Sequence, residues 1–133
     1  MTNFQAVYYR DPHGREPVRA FVESLEADVQ AALDNQIDRL NLLSDAFPHL
    51  PFPHSSQVVG ELRELRCHYG RSLYRILYQR SHRLLVLLHI FPKSSSKIPA
   101  VEIRLAQRRW EDFKARMDAP VRTPPRAAGR DAP

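Results

Sequence analysis

Residues 61–91 read ELRELRCHYGRSLYRILYQRSHRLLVLLHIF. Three extended segments lie in this stretch, at about 61–68, 72–79 and 84–91, separated by Tyr69-Gly70-Arg71 and by Arg80-Ser81-His82-Arg83. Connections this short force antiparallel neighbours, so the stretch predicts a β-meander. The third segment, Leu84 to Phe91, is an almost unbroken apolar run, as expected of a strand buried on both faces. Side chains alternate along a strand. Tyr74, Ile76 and Tyr78 therefore share one face, with Arg75 opposite; Leu65 and Cys67 share one, with Glu64 and Arg66 opposite; His89 and Phe91 fall with Leu87.

Outward from the meander, Phe4 to Tyr9 is aromatic and β-branched and reads as a first strand, followed by the turn Asp11-Pro12-His13-Gly14. Pro17 suits the first turn of a helix, and Val18, Phe21, Val22 and Leu25 form one apolar stripe. A second helix is predicted over about 27–46, with the stripe Val29, Leu33, Ile37, Leu40 and Leu43. Pro48, Pro51 and Pro53 make the next stretch a loop, which is expected to run on through Ser56. Beyond Pro92, a loop rich in serine and lysine leads to Pro99 and a last helix, whose seam is Ile103, Ala106, Trp110, Phe113 and Met117. The expected fold class is α+β: an N-terminal strand and helical hairpin packed on an antiparallel β-meander with a C-terminal helix. Residues 1–118 are expected to form one domain and 119–133, rich in Pro, Arg and Ala, a disordered tail.

Of 133 residues, 43% are hydrophobic and 26% charged, enough for a core in one domain. No apolar run approaches a membrane span, and the N-terminus lacks the marks of a signal peptide. A single cysteine, Cys67, cannot pair within the chain and fits a reducing cytoplasm; a small buried side chain is its simplest role. Charge is unevenly placed. Residues 1–59 hold 4 Lys/Arg against 8 Asp/Glu, whereas residues 60–116 hold 13 against 5. A basic second half suits a polyanionic partner.

If the helices cover one side of the sheet, the other gathers Arg66, Arg75 and His89, with Lys93 and Lys97 at its rim. Arginine reads phosphate oxygens through paired donors, and histidine exchanges protons near neutral pH. The plainer alternatives are that Arg66 pairs with Glu64 or Glu61, that His89 is a satisfied core histidine, and that Tyr69, Tyr74 and Tyr78 are sheet residues. No His/Cys pair has metal-site spacing, no glycine-rich phosphate loop appears, and no Gly-x-Ser-x-Gly elbow exists.

Five short pieces follow one another in order: Leu62-Arg63-Glu64-Leu65-Arg66, Tyr74-Arg75-Ile76-Leu77-Tyr78, Leu87-Leu88-His89-Ile90-Phe91-Pro92-Lys93, Lys97-Ile98-Pro99, and Glu102-Ile103 with Ala106. Together they resemble the phage-derived, HigB-like branch of the RelE toxin superfamily, whose pattern reads roughly L-x-E-L-R, Y-R-x-x-Y, L-L-H-x-F-x-K-K, K-T-P, E-I-x-x-A. The resemblance spans about residues 4–116 and implies a RelE-like fold. It also implies the toxin of a type II toxin–antitoxin system, a cytoplasmic mRNA interferase cutting mRNA on the ribosome without metal or other cofactor. In such enzymes the ribose 2′-hydroxyl attacks the adjacent phosphate. By position, Arg75, His89 and Lys93 would be catalytic: Arg75 on the phosphate transition state, Lys93 on developing charge, His89 in proton transfer. Arg66, Lys97 and Arg71 would bind RNA. The implied partners are an antitoxin, helix-turn-helix and HigA-like, and the ribosome with its mRNA. The sequence departs from the pattern at Ser94, where a second lysine is usual, and at Ile98, where threonine is; no tyrosine follows Lys97 to match the catalytic tyrosine of the best-known relatives. Alternatives on the same scaffold are a binding module that blocks translation without cutting, and a gyrase poison.

Overall fold

A computed structural model of the chain describes residues 3–118 and 124–129. The elements run β1 (Gln5–Tyr8), α1 (Pro17–Glu23), α2 (Ala27–Leu40), β2 (Ser55–Val59), β3 (Leu62–Tyr69), β4 (Ser72–Ser81), β5 (Leu84–Pro92) and α3 (Ala100–Met117). Among the described residues the fold is α+β, an open five-stranded sheet in the order β1-β5-β4-β3-β2 with three helices. Strands β3, β4 and β5 form the antiparallel meander expected from residues 61–91, and β5 is an interior strand as its apolar run requires.

The sheet extends beyond the expected meander at both edges, with a parallel strand at one and an antiparallel strand at the other. β1 runs parallel to β5, with Ala6 opposite Leu85 and Tyr8 opposite Leu87, so the sheet is mixed. β2 occupies residues read as loop. Ser55-Ser56-Gln57 carries no apolar alternation, and its strand conformation comes from pairing with β3, with Ser55 opposite Leu65.

The helices also do not share one side of the sheet. α1 and α2 bury Val18, Val22, Leu33 and Ile37 against Ala6, Leu65, Ile76 and Leu87. α3 packs its expected seam, Ile103, Ala106, Trp110, Phe113 and Met117, against Val7, Leu77, Val86 and Leu88 on the other face. Because α3 lies over β5 and β4, no helix among the described residues packs on the β3 and β2 part of that face. α2 ends at Leu40 rather than continuing to 46, but Leu43 remains buried and its carbonyl accepts from the Phe4 N–H at 2.8 Å.

A β-bulge overturns one facing assignment. Leu77 pairs with His89 but Tyr78 pairs with Leu87, leaving Leu88 as the extra residue on β5. The alternation slips there. His89 and Phe91 therefore lie on the α3 face with Leu88, and Ile90 joins Leu87 on the α1–α2 face.

Residues 124–129 do not behave as the expected disordered tail. Ala127 bridges Val7 in antiparallel sense, the Tyr8 N–H donates to the Arg126 carbonyl at 2.9 Å, and the Ala128 N–H donates to the Ala6 carbonyl at 2.8 Å. Ala128 is fully buried. Gly129 has φ +113°, and a Cβ there would collide with Asp38 Oδ1, so the position accepts only glycine without rearrangement. The rest of the predicted tail, 119–123 and 130–133, lies outside the described residues.

Candidate functional site

The α3 face of β3 and β4, beyond the helix, holds the cations that the sequence singles out. Arg66 and Arg75 are direct cross-strand partners. Like charges placed opposite each other repel, and Glu64 resolves the conflict. Its Oε1 accepts from Arg66 Nε at 3.0 Å, and its Oε2 lies 2.9 Å from Arg75 Nε. The second contact is off the hydrogen-bond axis, so it is an ion pair without a linear bond. Ser56 Oγ adds a donor to Glu64 at 3.2 Å. β2, although not foreseen, thus supplies a partner for the carboxylate at the centre of the cluster.

Arg75 is 1% exposed, so it does not present its guanidinium to solvent as an open phosphate site. Its Nη2 donates to the Ser96 carbonyl at 3.0 Å. That bond ties β4 to the loop joining β5 to α3, and Lys93 and Lys97 stand exposed on the same loop. The loop is also fixed at its start, where the Lys93 N–H donates to the Leu73 carbonyl at 2.8 Å. Arg66 is part-exposed and lies over the Phe52 ring at 5.4 Å. Arg71 is exposed at the tip of the β3–β4 hairpin, beyond the Arg66–Arg75 pair, and is not drawn into the cluster.

His89 sits on the α3 face, stacked on Phe91 with ring centroids 5.3 Å apart. Its Nδ1 is 3.3 Å from Arg109 Nη1, and its Nε2 is 3.1 Å from Glu102 Oε1. A guanidinium can only donate, so Nδ1 is the acceptor and Nε2 carries the proton that Glu102 receives. Burial holds the His89 pKa below its ordinary value; Glu102 opposes that shift and Arg109 reinforces it. The imidazole is therefore neutral at pH 7, with both nitrogens engaged. Arg109 Nη1 also donates to the Leu88 carbonyl at 2.8 Å, at the bulge residue. Burial pushes the Cys67 thiol up to about 12, which makes it a poor nucleophile.

The structure thus groups Arg66 and Arg75 around Glu64, hangs Lys93 and Lys97 on a loop held by Arg75, and places His89 in a separate triad with Glu102 and Arg109. In the sequence Glu64 stands out only as a possible partner of Arg66, and neither Glu102 nor Arg109 reads as a site residue. The i+7 spacing of Glu102 and Arg109, two turns along one helical face, is the signal that places both beside the same strand. Farther along α3, Arg104 and Arg108 border a shallow depression with Val101 and Glu111, adding exposed positive charge.

The family described as "Phage derived protein Gp49-like (DUF891)" matches residues 20–111, from α1 to the middle of α3. No curated protein is similar enough to the chain to count as a match.

Proposed function

From the premise that the chain belongs to the Gp49-like family of phage-derived proteins, a family associated with the toxins of type II toxin–antitoxin systems, we propose that it is a RelE/HigB-type toxin that cleaves mRNA on the ribosome. The observation that carries the reading is the loop 93–98. Its two exposed lysines flank Ser96, whose carbonyl is tied to Arg75, the cross-strand partner of the part-exposed Arg66. A strand of RNA laid across β3 meets Arg66 from below and Lys93 and Lys97 from the side.

In this reading Lys93, Lys97 and Arg66 contact the phosphates, and Lys93 stabilises the charge that grows as the 2′-hydroxyl attacks. Arg75 acts as a positioning residue through Ser96. Arg71 contacts RNA from the hairpin tip. His89 takes part in proton transfer only after giving up its bond to Glu102 or Arg109. The reading gives the protein a cytoplasmic site of action and an antitoxin partner, helix-turn-helix and HigA-like, that covers the basic face.

One observation favours a second reading. Both ring nitrogens of His89 are engaged and Arg75 is buried against Glu64, so the two candidates for chemistry are committed to structure. A toxin-like module that binds the ribosome or another target, gyrase included, without cutting needs neither. Mapping mRNA 5′ ends after induction without antitoxin separates the two. Cuts confined to translated frames are expected; growth arrest without new ends selects the non-cutting module, and unimpeded growth removes the toxin reading.

A further inference from the structure

A second basic concavity lies on the other face of the sheet and at its other end. Arg63 points away from Glu64 and Arg66 because β3 alternates, and it stands opposite Tyr78 at the start of the strand. There, Arg63, Arg80 and His49 line a cleft of about 330 Å³ between the β2–β3 turn and the proline-rich loop. That is the lower end of the range for small-molecule sites, roughly 300–1,000 Å³.

Three features of the cleft are poorly explained by folding alone. The Arg63 Nε is buried and has no hydrogen-bond partner among the described residues, and the guanidinium makes a long 3.3 Å contact to Ser55 Oγ. A buried donor left unpaired is costly. Arg80 is fixed rather than mobile: its Nε donates to the His82 carbonyl at 2.7 Å and its guanidinium lies 4.1 Å from the Phe4 ring centroid. Its Nη2 also donates to Asp45 Oδ1 at 3.1 Å, a half-exposed pair that water screens. Burial, and after it the positive charge of Arg63 and Arg80, holds the His49 pKa below the usual value. Two guanidiniums and an imidazole thus converge on the cleft, and no buried acid stands among its lining residues.

We propose that this cleft binds a small phosphate-bearing ligand, with the phosphate between Arg63, Arg80 and His49. Two acids restrict what else enters. Glu61 lines the cleft at the β2–β3 turn, and Asp45 flanks Arg80. A continuous polyanion crossing the cleft would run its neighbouring phosphates into these carboxylates, whereas a single terminal phosphate avoids them. Pro48, Tyr78 and Leu85 supply the apolar wall for the rest of the ligand. The assignment is independent of the toxin reading, which rests on the opposite face.

The test is an NMR titration of the full chain, following the His49 imidazole while inorganic phosphate replaces chloride at constant ionic strength. Saturable movement of His49 and a rise in its pKa are expected, because the phosphate offsets the two arginines. Arg63→Gln is expected to weaken binding at least about tenfold. Adenosine monophosphate in place of phosphate distinguishes the sources: tighter binding means that the organic part is recognised, equal binding that the free anion is the ligand. A response no larger than that to chloride overturns the proposal, as does full binding by folded Arg63→Gln. Stronger perturbation of His49 by an oligoribonucleotide than by the mononucleotide overturns the small-ligand assignment. The wild-type titration stands even if Arg63→Gln does not fold, and Arg80→Gln then serves as the second variant.

Discussion

Glu64 Oε2 lies 2.9 Å from Arg75 Nε, diagonally across the β3–β4 ladder, and the two side chains are 3% and 1% exposed. Removing one member of such a pair leaves the other charge buried and uncompensated, which costs about 3–5 kcal/mol. Glu64→Leu is therefore expected to lower the urea midpoint sharply without changing the m-value. The double variant Glu64→Leu, Arg75→Met replaces both charges with apolar groups and should recover most of that loss. It does not restore the Arg75–Ser96 bond. A stable double variant without toxicity would assign Arg75 to positioning the lysine loop; a stable one with full toxicity would remove that role.

The meander, the first strand and all three helices are legible in the sequence because their signals are local: apolar periodicity, a proline at a helix start, turns of two to four residues. The parallel pairing of β1 with β5 is not, since nothing in Phe4 to Tyr9 states which edge it will join. β2 escapes a sequence reading for a related reason. Ser55-Ser56-Gln57 becomes strand through the hydrogen bonds that β3 offers it. At the site, alternation alone correctly places Arg66 and Arg75 on one face. It groups His89 with Leu87 rather than Leu88 because a bulge at Leu88 shifts the alternation by one residue, and an apolar run such as Leu84–Ile90 gives no sign of where a bulge falls. That Arg75 is buried depends on Glu64 arriving diagonally from β3, which sequence spacing does not reveal.

The packed C-terminal segment predicts a stability effect. Deleting residues 124–133 removes the buried Ala128 and two backbone hydrogen bonds to β1. A loss of roughly 1–3 kcal/mol is expected, read as a lower melting temperature. The deletion also bares the β1 edge, and exposed edges recruit other strands. Sedimentation at rising concentration should then show self-association absent from the full chain. Gly129→Val tests the same packing more gently, because its side chain collides with Asp38 and Asn41. An unchanged melting temperature in both variants would mean that the segment does not dock in solution.

His89 has a pKa below the ordinary histidine value, chiefly through burial. Between the folded and unfolded values the unfolded chain binds more protons, so stability rises with pH across that window. The contribution is complete above the unfolded value of about 6.5 and is lost as pH falls through the folded one. Acidification below neutrality should lower the melting temperature, and His89→Phe should flatten the slope; His49, whose pKa is also lowered, leaves a residual slope. Glu102→Gln removes the carboxylate that holds the proton on Nε2, so the imidazole pKa should fall further in an NMR titration. A rise instead would contradict the arrangement of Glu102 and Arg109 about the ring.

The exposed lysines make the most direct prediction about RNA. Lys93 and Lys97 lie on the surface, so their replacement by alanine should leave stability within about 0.5 kcal/mol of the parent. Each phosphate that a variant no longer neutralises lowers the slope of log affinity against log salt by roughly one for a duplex and about 0.7 for a single strand. Fluorescence anisotropy with a short single-stranded RNA over a range of salt should therefore show a shallower slope for each variant and an additive effect in the pair, whatever the RNA sequence. Arg66→Ala is expected to act more weakly on the slope, because Glu64 already neutralises part of its charge. Salt slopes identical to the parent in both lysine variants would mean that RNA does not cross this face, and the cutting reaction would lose the positions that orient its phosphate.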